Sequence, residues 1–312
     1  MSYMGILPIN KPRGMTSHDV VFKARKILKM KKIGHTGTLD PEVDGVLVLC
    51  LGQATKLVEY LMDGEKIYHG EITLGVSTET EDAHGAVVDT TPVEAPLSMA
   101  EIDEKMASMT GLIQQIPPMY SAVKVKGKRL YEYARAGEEV ERPVREAQIH
   151  SFVRTSEPVY DAAAKTQSWS FDVHCGKGTY VRTLAVDLGE KLGFPAHMSD
   201  LRRLATSGFN IEEAVTLEEL AEAVEAGTEL EHIYPMDRIK ASMPHLVVGA
   251  DKVFNIEHGQ VVPDDFFGEP LKELTAIFNE AGTLLAIYGP HPSKPNLLKS
   301  AKGFHYEEEV NA

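Results

Sequence analysis

Only two cysteines, Cys50 and Cys175, occur in the 312 residues of this chain. Two isolated thiols cannot make a Cys-rich zinc site, and nothing about them suggests an oxidising compartment. No run reaches the roughly 18 apolar residues of a membrane span. Residues 1–15 show no long apolar core followed by a small-residue cleavage site, so no secretory signal is expected. Repeats, low-complexity tracts and exposed heptads are also missing, and a cytoplasmic monomer is the expectation. Positive charge is scarce as well. The net charge is −14, which on its face argues against a nucleic-acid partner.

The distribution of charge changes that reading. Residues 1–66 carry +3, 67–119 carry −8, 120–150 carry +2, 151–209 carry +1 and 210–312 carry −12. Most of the acid therefore lies in the tail and one middle segment, and local basic stripes decide where phosphates bind. Lys23, Arg25, Lys26, Lys29, Lys31 and Lys32 crowd a helix expected from Thr16 or Ser17 to about Lys29. A second stretch, from Tyr120 to Arg135, mixes three tyrosines with Lys124, Lys126, Lys128, Arg129 and Arg135. It offers ring faces for bases and cations for phosphates. The ordinary alternative is an amphipathic core segment with snorkelling lysines.

Between these lies Gly34-His35-Thr36-Gly37-Thr38-Leu39-Asp40-Pro41. Proline at 41 fixes φ and biases Asp40 away from helical geometry. One carboxylate on such a loop, close behind a basic helix, suits a nucleophile or base acting on an anionic polymer. Further along, Val46 to Leu51 reads as a buried strand and Ala54 to Met62 as a helix. Lys66 to Val76 alternates as a strand, with Tyr68, Gly70, Ile72 and Leu74 on one side. A helix is expected from about Met99 to Met109, with Gly111 at its C-cap. A strand is expected at Trp169–Cys175, and a helix opening at Thr179–Leu184 and running to about Leu192. Thr216-Leu217-Glu218-Glu219 has the form of a capping box. From Ser242 onward, short apolar runs separated by turns indicate a small all-β appendage. On residue chemistry alone, Arg182 is a forked-donor partner for Asp40, and Tyr68 is a flat surface for a planar substrate.

Taken in order, the motifs resemble those of the bacterial tRNA pseudouridine-55 synthases, the TruB family. The resemblance covers roughly residues 3–235. It rests on Asn10-Lys11-Pro12-x-Gly14-x-Thr16-Ser17, the Gly34–Pro41 loop and Lys66-x-Tyr68. Beyond these it includes Pro117-Pro118-x-Tyr120-Ser121-Ala122-x-Lys124, Gly178-Thr179-Tyr180-x-Arg182-Thr183-Leu184, His197, and Leu201-Arg202-Arg203. It implies a mixed α+β pseudouridine synthase fold with a mostly antiparallel sheet in residues 1–240, including an RNA-clamping segment at about 120–146. Residues 241–312 would be a small β-rich domain, PUA-like or divergent.

The implied activity is isomerisation of uridine to pseudouridine at position 55 in the tRNA T-loop. It would need no metal, organic cofactor, guide RNA or protein partner. By position, Asp40 matches the catalytic aspartate, Tyr68 the tyrosine that stacks on the uracil, and Arg182 the arginine paired with the aspartate. His35 matches the histidine that enters the T-loop in place of the flipped base, and Tyr180 and Leu201 match pocket walls. Lys11, Lys124, Arg129 and Arg202 complete the expected substrate-binding set. Asp40 is open to three roles: attack on ribose C1′, attack on the base, or help in removing a C2′ proton.

Two departures stand out. Glu42-Val43-Asp44 replaces the commoner Leu-Ala-Thr/Ser after the proline, and its two carboxylates are expected to face solvent. Residues 242–312 hold five lysines against ten acids, unlike a basic RNA-binding module. A rival reading is a tRNA-binding or tRNA-folding module that acts mainly through binding. A guide-dependent isomerase and a base-releasing hydrolase are further alternatives.

Overall fold

The alternating stretch beginning at Lys66 is a strand, Lys66–Leu74, in the computed structural model, which describes residues 3–306. (Glu307–Glu309, counted above in the acidic tail, lie outside that range.) The described chain divides into two compact units. One comprises residues 43–45 and 65–206, and the other, among the described residues, 3–42, 46–64 and 207–306.

In the 65–206 unit, strands follow the order Gly111–Gln115, Arg145–Arg154, Thr166–Cys175, Lys66–Leu74, Ala196–Thr206. Every neighbouring pair is antiparallel. Asp44 and Gly45 add a short parallel pairing to Arg202 and Arg203, so the sheet is mixed. Buried and less buried residues alternate strictly along Thr166–Cys175, with Gln167, Trp169, Phe171, Val173 and Cys175 inside. That period of two fixes which side chains share a face. The helix Val181–Leu192 ends where expected, at Gly193, whose φ of +83° makes a left-handed cap. The helix Met99–Ala107 stops at Ser108, and Gly111 opens the next strand instead of capping it.

The other unit contains Gly5–Lys11, the helix Ser17–Ile27, Ile33–His35 and most of the strand Asp44–Leu51. A reciprocal capping box between Thr16 and Asp19 starts the helix, and one between Thr216 and Glu219 starts Leu217–Ala226. Residues 46–51 of the strand Asp44–Leu51 are an unbroken apolar run because both of its faces are covered. Leu47, Leu49 and Leu51 pack with Leu7, Ile9, Val20, Val21 and Leu220. Val46, Val48 and Cys50 pack with Leu57, Leu61, Ala276, Phe278 and Ile287. Each such buried Leu, Ile, Val or Phe side chain stabilises the fold by about 1.5–3 kcal/mol. The helix expected at 54–62 is split into a 3-10 turn, Gly52–Leu57, and a short α-turn, Val58–Leu61. The Thr55 hydroxyl donates to the Gly52 carbonyl at 2.8 Å, closing the tighter i to i+3 geometry.

The C-terminal segment is β-rich but not all β. Its sheet runs His245–Val248, Thr275–Asn279, Leu284–Pro290, Leu297–Gly303, Val262–Pro263. The helix Ala250–Glu257, which the reading of short apolar runs overlooked, buries Ile256 against Val248, Ile277, Leu285 and Leu298. Among the described residues, no helix is long and apolar enough to cross a membrane.

Candidate active site

Asp40 is half-buried on a loop whose neighbours are fixed on both sides. Before it, Leu39 is buried; its N–H donates to Ser17 Oγ at 2.9 Å and its carbonyl accepts from that hydroxyl at 3.2 Å. After it, the Pro41 carbonyl accepts from the Gly14 N–H at 2.9 Å and from Lys11 Nζ at 3.0 Å. Lys11 is fully buried, and its ammonium also donates to the carbonyls of Pro12 at 2.9 Å and Met15 at 2.7 Å. Three backbone carbonyls thus accept from one buried ammonium. Lys11 was expected on the RNA-contacting side, yet its surroundings are those of a pin between loops.

The upstream arm is held similarly. Ile33–His35 pairs antiparallel with the Asp44–Leu51 strand, with His35 opposite Leu49. Buried Thr36 donates its N–H to the Val48 carbonyl at 3.0 Å. Its hydroxyl lies 3.0 Å from that of Ser207, which donates to the Leu61 carbonyl at 2.9 Å. His35 is half-buried, and its Nδ1 accepts from the Gly37 N–H at 3.4 Å.

Tyr68, Leu201, Tyr180 and Arg182 belong to the 65–206 unit. Tyr68 is buried on the Lys66–Leu74 strand, opposite Val173 on one side and Arg203 on the other. Gly70, two residues on, lies opposite Phe171 and Leu201. Tyr68, Phe171, Val173, Leu201 and Arg203 therefore share one buried face. A Cβ at Gly70 would meet the Asp200 carbonyl oxygen and Phe171 Cζ at 2.7 Å and Leu201 Cδ1 at 2.9 Å, so only glycine allows this packing.

Arg182 sits buried in the first turn of Val181–Leu192. It donates to the Thr80 carbonyl at 2.9 Å and to the Tyr120 carbonyl at 3.0 Å, so it ties two loops to the helix start. Tyr180, at the N-cap, is clamped by Gln115. The Gln115 side chain accepts from the Tyr180 N–H at 3.0 Å and donates to its carbonyl at 3.1 Å. Sequence reasoning missed Gln115, whose partner lies 65 residues away and leaves no local signal.

On the same helix, Thr183 and Asp187 line a cavity of about 760 Å³ together with Glu81, Arg142, Met109 and Ile113. Burial raises the Glu81 carboxyl, opposed by the Thr183 hydroxyl at 2.9 Å and by Arg182 and Arg142. Burial, then repulsion from Glu81 and Glu190, pushes Asp187 up to about 6.

The basic-aromatic stretch forms a hairpin, Lys124–Val125 with Lys128–Arg129, followed by the helix Leu130–Ala136. Positive φ at both Lys126 (+49°) and Gly127 (+88°) matches a two-residue primed turn. Lys124, Lys126, Lys128, Arg129 and Arg135 are exposed. The tyrosines are less available than expected. Tyr133 is buried with its hydroxyl on the Val125 carbonyl, and Tyr131 is flanked by Arg129 and Arg135 at 5.8 and 5.4 Å. A helix this short must bury something of its own, and Leu130 and Tyr133 do so beneath the cations.

Asp44 does not simply face solvent. Parallel pairing sets it opposite Arg202, and its carboxylate lies 3.5 Å from Arg202 Nε. Both cysteines are buried, which pushes Cys50 up to about 12 and Cys175 up to about 11; neither thiol is a nucleophile.

The model of the TruB family pseudouridylate synthase N-terminal domain matches residues 25–181, and that of the tRNA pseudouridylate synthase B C-terminal domain matches residues 182–240. The chain is 52% identical over 300 residues to tRNA pseudouridine synthase B of Bacillus velezensis and 51% identical over 300 residues to that of Bacillus subtilis. Each alignment covers 96% of both chains. Among solved structures, a chain from a Cbf5–Nop10–Gar1 complex is 26% identical with a TM-score of 0.72, covering 98% of this chain and 84% of that one. The chain described here belongs to the TruB family of pseudouridylate synthases.

Proposed function

We propose that this protein converts uridine to pseudouridine at position 55 of tRNA, acting alone as a cytoplasmic monomer without guide RNA or cofactor. The observation that carries the reading is the Asp40 loop, in which the half-buried carboxylate stands between residues pinned by Ser17, Gly14 and Lys11. Placing a reacting group accurately is worth several kcal/mol of barrier, and this loop has no other evident reason to be held so tightly. Identity of just over half to proteins named tRNA pseudouridine synthase B supports the substrate class.

A uridine within a folded T-loop must be flipped out, at a cost of a few kcal/mol. In the proposed reaction His35 fills the vacated stack and Asp40 promotes cleavage of the N1–C1′ bond. The detached uracil then rotates and rejoins C1′ through C5; C5 gives up its proton and N1 takes one, so the product is an isomer of the substrate. It is kept from escaping by the Tyr68 ring and by Leu201, whose side chain occupies space opened by Gly70. Arg182 and Tyr180 form the polar side of the pocket. The exposed cations Lys124 and Arg129, with the Lys23–Lys32 cluster, take the RNA backbone, and Arg202 contributes beside Asp44. Lys11 acts through the loop. The proposed domain boundary falls near residue 240, where the family models end.

The test is incubation of purified protein with unmodified tRNA transcript, mapping pseudouridine by chemical adduct and primer extension. One new T-loop signal, lost in Asp40→Asn while binding persists, is the expected result. Tight binding with no signal from the wild type would instead favour a binding or folding module, a reading supported by the exposed basic hairpin.

A further inference from the structure

Away from all of these residues, three side chains converge at one end of three neighbouring strands. Glu65 immediately precedes Lys66–Leu74, His174 lies near the end of Thr166–Cys175, and His150 lies within Arg145–Arg154. The register brings the three residues level, two at strand ends and His150 mid-strand: Lys66 is opposite Cys175, and Cys175 is opposite Ile149. Regular alternation would set His150 and Ser151 on opposite faces. A bulge between Ile149 and Ser151 interrupts the ladder at His150, and such bulges re-aim side chains.

The result is that both imidazoles address one carboxylate. His174 Nε2 is 2.7 Å from Glu65 Oε2, and His150 Nε2 is 3.3 Å from Glu65 Oε1. The two rings are 4.7 Å apart between centroids and tilted by 43°. One ligand atom from each residue can be chosen so that all three lie within 4.8 Å of one another. Zinc bonds to imidazole nitrogen and carboxylate oxygen run about 2.0–2.2 Å, so neighbouring ligands on a tetrahedron sit roughly 3.3–3.5 Å apart. Small rotations of three partly exposed side chains bring the set to that spacing.

We propose that Glu65, His150 and His174 form a site for a zinc-class divalent transition ion, with water completing the coordination. Two imidazoles and one carboxylate are a donor set that suits zinc and its neighbours, whereas magnesium and calcium prefer all-oxygen shells. The ion staples three adjacent strands at the end from which the strand bearing Tyr68 starts. It is a structural clamp and takes no part in the isomerisation, which consumes no metal chemistry. Sequence reading passed over it because the residues lie 24 or more positions apart, with none of the close His/Cys spacing that marks a zinc motif.

The test uses untagged full-length protein stripped with chelator and titrated with zinc chloride by calorimetry, with cobalt(II) as the optical probe. One ion per chain is expected, with visible cobalt bands of a four- or five-coordinate site and a rise in Tm on adding zinc. His174→Gln and His150→Gln, each checked for native fold by circular dichroism, should weaken binding at least tenfold and abolish the Tm rise. Both should isomerise tRNA at the wild-type rate. Zinc binding that is absent, or equal in wild type and both variants, would overturn the proposal; equal binding would mean scattered uptake by the other histidines.

Discussion

Lys11→Met separates two jobs for the same residue. If Lys11 served the RNA, its loss would leave the fold intact and weaken tRNA binding. The structure instead buries its ammonium against the carbonyls of Pro12, Met15 and Pro41. Methionine retains most of the side-chain length and bulk but no donor. Pro41 still accepts from the Gly14 N–H, so the groups deprived of this donor are chiefly the Pro12 and Met15 carbonyls. A buried acceptor left unsatisfied costs about 1–3 kcal/mol. The removed charge no longer pays a desolvation penalty, which offsets part of that loss. These bonds are part-buried, so water replaces some of them, and a net destabilisation of about 1–3 kcal/mol follows.

Function should respond through Asp40, the neighbour of Pro41. A displacement of a reacting group by about 1 Å can slow a reaction roughly 100-fold, so single-turnover isomerisation should fall by about 10- to 100-fold. Urea unfolding gives the stability term, and filter binding over a range of salt gives the RNA term. The dependence of log Kd on log salt should be unchanged. A phosphate contact would instead reduce that slope by about one unit. A variant with stability within about 1 kcal/mol of wild type and a shallower salt slope would refute the assignment.

Gly70→Ala should destabilise by about 1–3 kcal/mol through overpacking, because its Cβ meets a backbone carbonyl at 2.7 Å and Leu201 at 2.9 Å. Displaced Leu201 should also lower the isomerisation rate at saturating tRNA; unchanged stability and rate would sink the packing argument. Asp187→Asn tests burial of charge. Its native carboxyl titrates near 6, so the folded state binds the proton more tightly than the unfolded chain between about pH 4 and 6, and stability falls as pH rises through that window. A shift of about two units corresponds to roughly 3 kcal/mol, reduced to about 1–2 kcal/mol for a partly exposed group. The variant should therefore gain that much in urea unfolding at pH 8 and nothing at pH 4; an equal gain at both would rule the mechanism out.

Much of the architecture was legible because it rests on short-range rules. A cap at Thr16 or Ser17, the capping box at Thr216 and the glycine at 193 marked helix ends that the structure repeats. Period-two burial marked Lys66–Leu74. Errors arose where tertiary contacts decided the outcome. The Ala250–Glu257 helix presents only Ile256 as a fully buried residue, so its apolar signal is weak beside the strands around it. Thr55 closes a 3-10 turn through one hydroxyl, which periodicity does not register. Asp44 looked solvent-bound until strand pairing set Arg202 opposite it.

The site itself is marked less by charge on the surface than by polarity in the interior. Burying a polar group is unfavourable unless it is paired, and well-packed apolar replacements are often at least as stable as buried ions. Stability alone therefore gives little reason for a fully buried lysine at 11 or a buried glutamine at 115. Accuracy of placement does. Lys11, Ser17, Thr36 and Ser207 hold the arms of the Asp40 loop, while Gln115 and Arg182 hold the backbone at Tyr180, Thr80 and Tyr120. Other buried polar residues make equally long-range bonds elsewhere, as Gln167 does with the Leu97 backbone and Glu229 with the Tyr3 hydroxyl, so burial of polarity alone does not mark a site. What the first group shares is where its bonds fall: on the arms of the Asp40 loop and on the backbone at Tyr180, Thr80 and Tyr120. In sequence these residues look like any surface lysine, serine or glutamine, and only the fold reveals that their task is to make loops rigid.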